Sequence, residues 1–228
     1  MKTIQTILIT VYLVILCNTA FAQRGETESL RSSSFSEFYS KWRGQNKPAI
    51  DFTAYDIDGN QHRLSDFKGK TIILDWWNTR CHMCIRGFPG LDSIAAEYAS
   101  QGVVVIAAGT PEPREDFDRF VRTRQHEWPN LIFIQDRSTG RRAGGVAFDD
   151  YAIFGLPAQI IINKDFVVVY ASNFKSQIIT ALPLAGIIVD EEKLKNARVE
   201  AQILEDRMAS QERERRERME RGENSEGR

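Results

Sequence analysis

Two thiols spaced three residues apart, Cys81 and Cys84 in "TRCHMCIRGFP" (79–89), are the side chains here with the most distinctive chemistry. Arg80 and His82 flank the first thiol, and the apolar run "TIILDWW" (71–77) comes just before. Such a pair can be a redox couple, half of a metal site, a haem attachment point, or two ordinary buried cysteines. Haem attachment of the c type needs His directly after the second cysteine, and position 85 is Ile. Structural zinc needs four ligands. Beyond Cys81, Cys84 and His82 the chain offers only His62 and His126 as histidines, and no second cysteine pair. Copper(I) is harder to set aside, because "CHMC" packs Cys, Met and His donors together. A Cu(I)-handling protein using Cys81 and Cys84, assisted by Met83 or His82, is therefore the alternative to redox chemistry.

The compartment bears on that choice. Lys2 is the only charge before "ILITVYLVIL", and "AFA" at 20–22 places small residues where a signal peptidase reads them. We expect a leader over 1–22 with cleavage before Gln23, hence an exported, periplasmic or otherwise extracytoplasmic protein. A lipid on Cys17 is disfavoured by the large Leu16 before it; a retained membrane anchor is the weaker alternative. Cleavage removes Cys17 and leaves Cys81 and Cys84 as the only thiols. A disulfide framework is then excluded, and an exported Cys-x-x-Cys pair either makes and breaks its own bond or binds a soft metal. A net charge of -1 and a 42% hydrophobic fraction suit one soluble core and give no sign of nucleic-acid binding.

The elements around the thiols read as alternating strands and helices. Residues 23–46 are polar and Ser-rich and read as a linker. A domain over 47–175 opens with two short alternating runs around Asp58-Gly59, a hairpin signal. "TIILDWW", "GVVVIAAG" and "NLIFIQD" read as buried strands; "CIRGFPGLDSIAAEYAS", with Pro89 expected to kink it, and "REDFDRFVRTRQ" carry helical periodicity. "AQIIINKDFVVVYAS" is an antiparallel hairpin turning at 163–166. The order implies an α/β fold with a central mixed sheet flanked by helices on both faces. Residues 176–228 form a charged helical extension that frays into disorder. From Asp190 onward it holds 12 acidic and 10 basic residues among 39, so Glu212/Arg216 and Glu217/Arg221 can pair along an exposed helix. Leu194, Ala197, Ala201, Leu204 and Met208 follow a short heptad, which leaves self-association or partner docking through this helix as a reading beside a solvated one.

The strand-to-helix junction favours redox chemistry. A helix N-terminus presents free N–H groups and partial positive charge to the first sulfur, which stabilises its thiolate. The second sulfur, one turn on and shielded, can then attack a mixed disulfide formed at the first.

Here the chain resembles the thioredoxin superfamily, most closely its exported TlpA/ResA type. The likeness covers about 48–172: "FTAYDIDGNQHRLSDFKGKTIILDWWNTRCHMC", Pro89 five residues beyond the second thiol, and "FGLPAQIIINKDFVVV". It implies a thioredoxin-like fold and thiol-disulfide oxidoreductase activity without a cofactor or metal. Partners would be protein thiols and disulfides, including an upstream electron donor or acceptor. It further implies that Cys81 is the nucleophile, Cys84 the resolving thiol, and Pro157 a cis-proline after Leu156 that presents backbone to an extended substrate. Asp75 occupies the place where thioredoxins proper hold a buried acid that relays a proton to or from Cys84, one that many exported relatives lack; burial there would disfavour its charged form, and an acid reaching the surface at the strand end is the alternative. Trp77 and Leu156 are expected to contact substrate; Trp76 and Trp77 are also expected to pack the core and frame the site.

The departures are Arg80 where Trp is common, His-Met between the thiols where Pro is usual, and no acid in the first turn after Cys84. Arg80, and His82 when protonated, favour the Cys81 thiolate and so a potential above about -270 mV. A peroxidase would need Thr or Ser at 78 and Pro at 74; the chain has Asn78 and Leu74.

Overall fold

The computed structural model describes residue 42 and residues 46–137, 145–173 and 177–221. The leader and all of the linker except Trp42 and Asn46 lie outside the described residues. Eight strands form one mixed sheet: β1 (Lys47–Pro48), β2 (Thr53–Tyr55), β3 (Gln61–Arg63), β4 (Thr71–Trp77), β5 (Val103–Gly109), β6 (Leu131–Gln135), β7 (Ala158–Ile162) and β8 (Val167–Ser172). Their order is β1-β8-β7-β4-β5-β6-β2-β3. β4, β5 and β6 run parallel, and β7 pairs antiparallel with β4. The expected N-terminal hairpin is β2–β3, with Gly59 at φ +87° in its turn, where a side chain would be strained.

Two crossover helices connect the parallel strands: α1 (His82–Glu97) between β4 and β5, and α2 (Arg114–Arg124) between β5 and β6. Both connections step the same way along the sheet, so right-handed crossovers put both helices on one face. Accordingly Ile73 and Trp77 of β4 share a core with Phe88, Leu91 and Ile94 of α1 and Phe117 and Val121 of α2. Helix α1 runs through Pro89 over its full length. On the other face Ile72, Leu74 and Trp76 meet Phe52, Leu64 and Tyr151, with Val146 and Ala147 from the short α3 (Gly145–Asp149). The period of two in β4 thus divides its side chains between two cores, which is why the whole strand reads as apolar.

Both ends of the domain differ from the sequence-based boundaries. Trp42, placed in the linker, is 2% exposed, stacks on Tyr151 at 5.1 Å between ring centroids, and donates Nε1 to Tyr151 O at 2.7 Å. The boundary after 175 cuts through the core: Ile178 and Ala181 of α4 (Ile178–Ala181) and Leu182, Ile187 and Val189 beyond it are buried against the α1 face. The charged part begins only at α5 (Glu191–Glu220), whose N-terminus Asp190 caps by accepting from Lys193 N at 3.0 Å. Its first turns dock through Leu194, the buried Ala197 and a Lys193–Glu97 ion pair. Further out, Glu212–Arg216 (3.0 Å) and Glu217–Arg221 (3.7 Å) pair at the expected spacing. Among the described residues no helix is long and apolar enough to cross a membrane.

Candidate functional site

Strand β4 ends at Trp77, and four residues later Cys81 caps α1, with its Sγ accepting from Cys84 N at 3.2 Å. The two sulfurs are joined in a disulfide. Cys81 is partly exposed and Cys84 fully buried, so one sulfur meets solvent while its partner faces the core. A sulfur at a helix N-terminus lies where N–H groups and the helix dipole favour negative charge. Arg80 and His82 are exposed on either side of Cys81.

The Leu156–Pro157 peptide is cis. A cavity of about 490 Å³ is lined by Arg80 and Cys81 together with Pro111, Phe154, Gly155 and Leu156. The cis segment is held from the end of β8, where Asn173 Nδ2 donates to Gly155 O (3.2 Å) and Pro157 O (2.8 Å). These two bonds bracket Leu156.

Asp75 is 0% exposed. It lies between Ile73 and Trp77 on β4, so alternation turns it to the α1 face, which Cys84 also packs. Gln159, its cross-strand neighbour on β7, donates Nε2 to Asp75 Oδ1 at 2.5 Å. Gln159 Oε1 is buried with no partner among the described residues.

The expected substrate contact of Trp77 is corrected. Trp77 is 0% exposed and surrounded by Phe88, Phe117, Phe120 and Phe133 at centroid distances of 5.1–5.8 Å. It frames the site from beneath, because the odd-numbered side chains of β4 all enter the α1 core. Leu156, by contrast, lines the cavity with Cys81. Among the described residues no group of three or more His, Cys, Asp or Glu side chains is placed to hold a metal ion. The copper alternative therefore rests on the two sulfurs with Met83 and His82, both exposed.

Three polar residues belong to this neighbourhood that sequence reading missed: Gln159, Asn173 and Glu112. Glu112, in the β5–α2 loop, accepts from Thr79 N at 3.1 and 3.2 Å and from Thr79 Oγ1 at 2.5 Å. Burial pushes its carboxyl above the ordinary value; the Thr79 hydrogen bonds and the Arg80 charge oppose that without cancelling it. Gln159 alone had a readable signal, a polar residue within the apolar run "AQIII".

The family described as AhpC/TSA matches residues 45–171. The chain belongs to that family. A thiol-disulfide oxidoreductase ResA of Geobacillus thermodenitrificans is 30% identical over 117 residues, 51% of this chain and 62% of the relative. The Bacillus subtilis ResA is 28% identical over 125 residues, 55% of this chain and 65% of the relative. The match thus spans less than two thirds of the length of these relatives. Among solved structures, a Bacteroides vulgatus protein described as a thiol-disulfide oxidoreductase superposes with a TM-score of 0.53 at 29% identity, covering 63% of this chain and 96% of its own. A thio-disulfide isomerase from Thermus thermophilus gives 0.51 at 25% identity, covering 63% and 98%. The expected thioredoxin-like fold is the one found.

Proposed function

We propose that this AhpC/TSA-family chain is an exported thiol-disulfide oxidoreductase that exchanges its Cys81–Cys84 couple with protein partners. The observation that carries the reading is the asymmetry of the pair: a partly exposed sulfur at a helix N-terminus joined to a fully buried one, with Cys81 lining a cavity together with Leu156 of the cis Leu156–Pro157 peptide. The curated relatives carry the same activity in their names. Extracytoplasmic location is supported by the leader pattern over 1–22 and by a chain that keeps no other thiol once that leader is removed.

In the reducing direction, the Cys81 thiolate attacks one sulfur of a partner disulfide. The partner S–S bond breaks, its leaving sulfur takes the electron pair and a proton, and a mixed disulfide forms at Cys81. The Cys84 thiol then loses its proton to Asp75 and attacks Cys81 Sγ. The mixed disulfide breaks, releasing the partner as a dithiol and leaving the Cys81–Cys84 disulfide; two electrons have moved to the partner. An upstream dithiol donor restores the reduced state, and the reverse sequence oxidises a partner dithiol. Leu156 and Pro157 offer backbone to an extended partner segment in the cavity, while Arg80 and His82 stabilise the attacking thiolate. The largely exposed part of α5 beyond Leu204 is available for self-association or for partner docking.

Cys84→Ser removes the resolving sulfur. The variant is expected to accumulate partners as mixed disulfides through Cys81, released by reductant and absent from the Cys81→Ser, Cys84→Ser double variant. A trap that stays empty under both oxidising and reducing conditions rejects the proposal.

A further inference from the structure

The turn that presents Cys81 is gripped from a distant loop. Glu112 stands 33 residues after Thr79, yet its carboxylate spans the Thr79 N–H and hydroxyl together. The grip is itself anchored: Gln135 Nε2, at the end of β6, donates to Glu112 O at 3.1 Å, and Thr110 N donates to Trp77 O at 2.8 Å. Thr79 is two residues before Cys81, a backbone reach of at most about 7 Å. The carboxylate therefore lies within roughly 10 Å of the Cys81 backbone. Arg80 stands between them in sequence.

We propose that Glu112 is a positioning residue of the Cys81–Cys84 couple: by clamping Thr79 it fixes the turn ahead of Cys81, and its charge offsets that of Arg80, restraining ionisation of the Cys81 thiol. This rests on the dithiol reading above and adds a control to it. The charged groups that act on Glu112 are Arg80, which favours its ionised form, and Asp116 of α2, which opposes it. Burial opposes ionisation more than either charge acts, so Glu112 takes up a proton at a higher pH than an exposed glutamate. Once it is neutral, Cys81 feels Arg80, the adjacent His82 and the helix N-terminus without that counterweight. Acidification thus offsets part of its own tendency to protonate the attacking sulfur.

The test follows Cys81 ionisation in the reduced protein by thiolate absorbance across pH 4–10, beside the redox midpoint in glutathione buffers. Glu112→Gln keeps an acceptor for Thr79 and removes the charge. It is expected to lower the Cys81 ionisation midpoint by about half a pH unit, roughly threefold more thiolate at a fixed pH below it, and to make the couple more oxidising. Native ionisation in Glu112→Gln overturns the charge role. Glu112→Asp keeps the charge but is one methylene too short to span both Thr79 groups. It should leave ionisation within about 0.3 unit of the native value and slow thiol exchange several-fold; native exchange overturns the clamp. Failure of the dithiol reading looks different: the unsubstituted couple would not equilibrate with glutathione, while Cys81 ionisation could still be read.

Discussion

Asn173 offers the sharpest perturbation of the cavity that Cys81 lines, because one side-chain amide holds the carbonyls on both sides of Leu156. Two carbonyl acceptors fix the orientation: Nδ2 must point to them, and Oδ1 is the buried atom left without a partner among the described residues. Asn173→Asp changes no shape but replaces a double donor with an acceptor. Two hydrogen bonds of about 1 kcal/mol each are lost. A carboxylate oxygen is also placed against carbonyls that stood 2.8 and 3.2 Å from the amide nitrogen. We expect a destabilisation of about 3–4 kcal/mol at pH 7, against about 2 for Asn173→Ala, which loses the bonds without adding repulsion.

The pH dependence has a definite sign. The introduced carboxyl is disfavoured in its charged form, so its folded-state pKa lies above its unfolded value of about 3.9. The protonated form can donate to one carbonyl. Stability relative to Asn173→Ala is therefore recovered below the unfolded pKa and lost as pH rises through the raised folded one. Urea denaturation of the disulfide forms at pH 7 and pH 4 measures this directly, and stopped-flow exchange with a dithiol reports on the cavity. Exchange should slow with both variants, since Leu156 is no longer bracketed. If Asn173→Asp matches Asn173→Ala within about 0.5 kcal/mol at both pH values, the bidentate grip inferred here is wrong.

Gly109 ends β5 beside Trp77 and Gln135, and a Cβ there would sit 2.7 Å from Phe117 Cε2 and 3.0 Å from Cδ2. Phe117 is fully buried against Trp77 and has little room to retreat, so Gly109→Ala should destabilise by about 1–3 kcal/mol and alter the near-ultraviolet circular dichroism. Unchanged stability and spectrum would show that this corner of the core yields. Asp75→Asn preserves the shape and the acceptor for Gln159 but removes the carboxyl proposed to carry the proton. Resolution of a preformed mixed disulfide by Cys84 is expected to slow by about 10²-fold near neutral pH, with formation of the mixed disulfide little affected. Equal resolution rates in the two proteins would leave Asp75 with a packing role alone.

What was legible in the sequence is what repeats or sits at a fixed short spacing. "TIILDWW" identified β4 because seven apolar or buried positions in a row suit a strand covered on both faces. The Cys81–Cys84 spacing, placed after it, identified the start of α1. Trp77 shows where that reasoning stops. Its nearness to the thiols in sequence suggested a substrate contact, but parity along β4 decides direction, and odd positions point into the α1 core. The C-terminal boundary failed for a related reason: "QIITALPLAGIIV" lacks the long periodicity of a helix, since it folds as α4 followed by a 3₁₀ turn. Its apolar side chains nevertheless close the core.

Glu112 and Asn173 left no such trace, and the physical reason is the same for both. Each acts through hydrogen bonds to a segment far along the chain, Thr79 from 33 residues away and Gly155 and Pro157 from 18 and 16. A hydrogen bond of that kind has no period. It depends on where β5 and β8 end relative to β4 and β7, which the sheet order sets and the local sequence does not. The chemistry-bearing residues of this site are thus announced by spacing. The residues that aim them sit just past the C-terminal ends of neighbouring strands, where one polar side chain can reach the backbone of the next loop. Glu112 after β5 and Asn173 after β8 both hold backbone, and Glu112 holds the Thr79 hydroxyl as well: one fixes the turn before Cys81, the other the segment around Leu156. The two held segments line one cavity, Arg80 and Cys81 from the first and Gly155 and Leu156 from the second, and changing either clamp should alter exchange while leaving the disulfide itself in place.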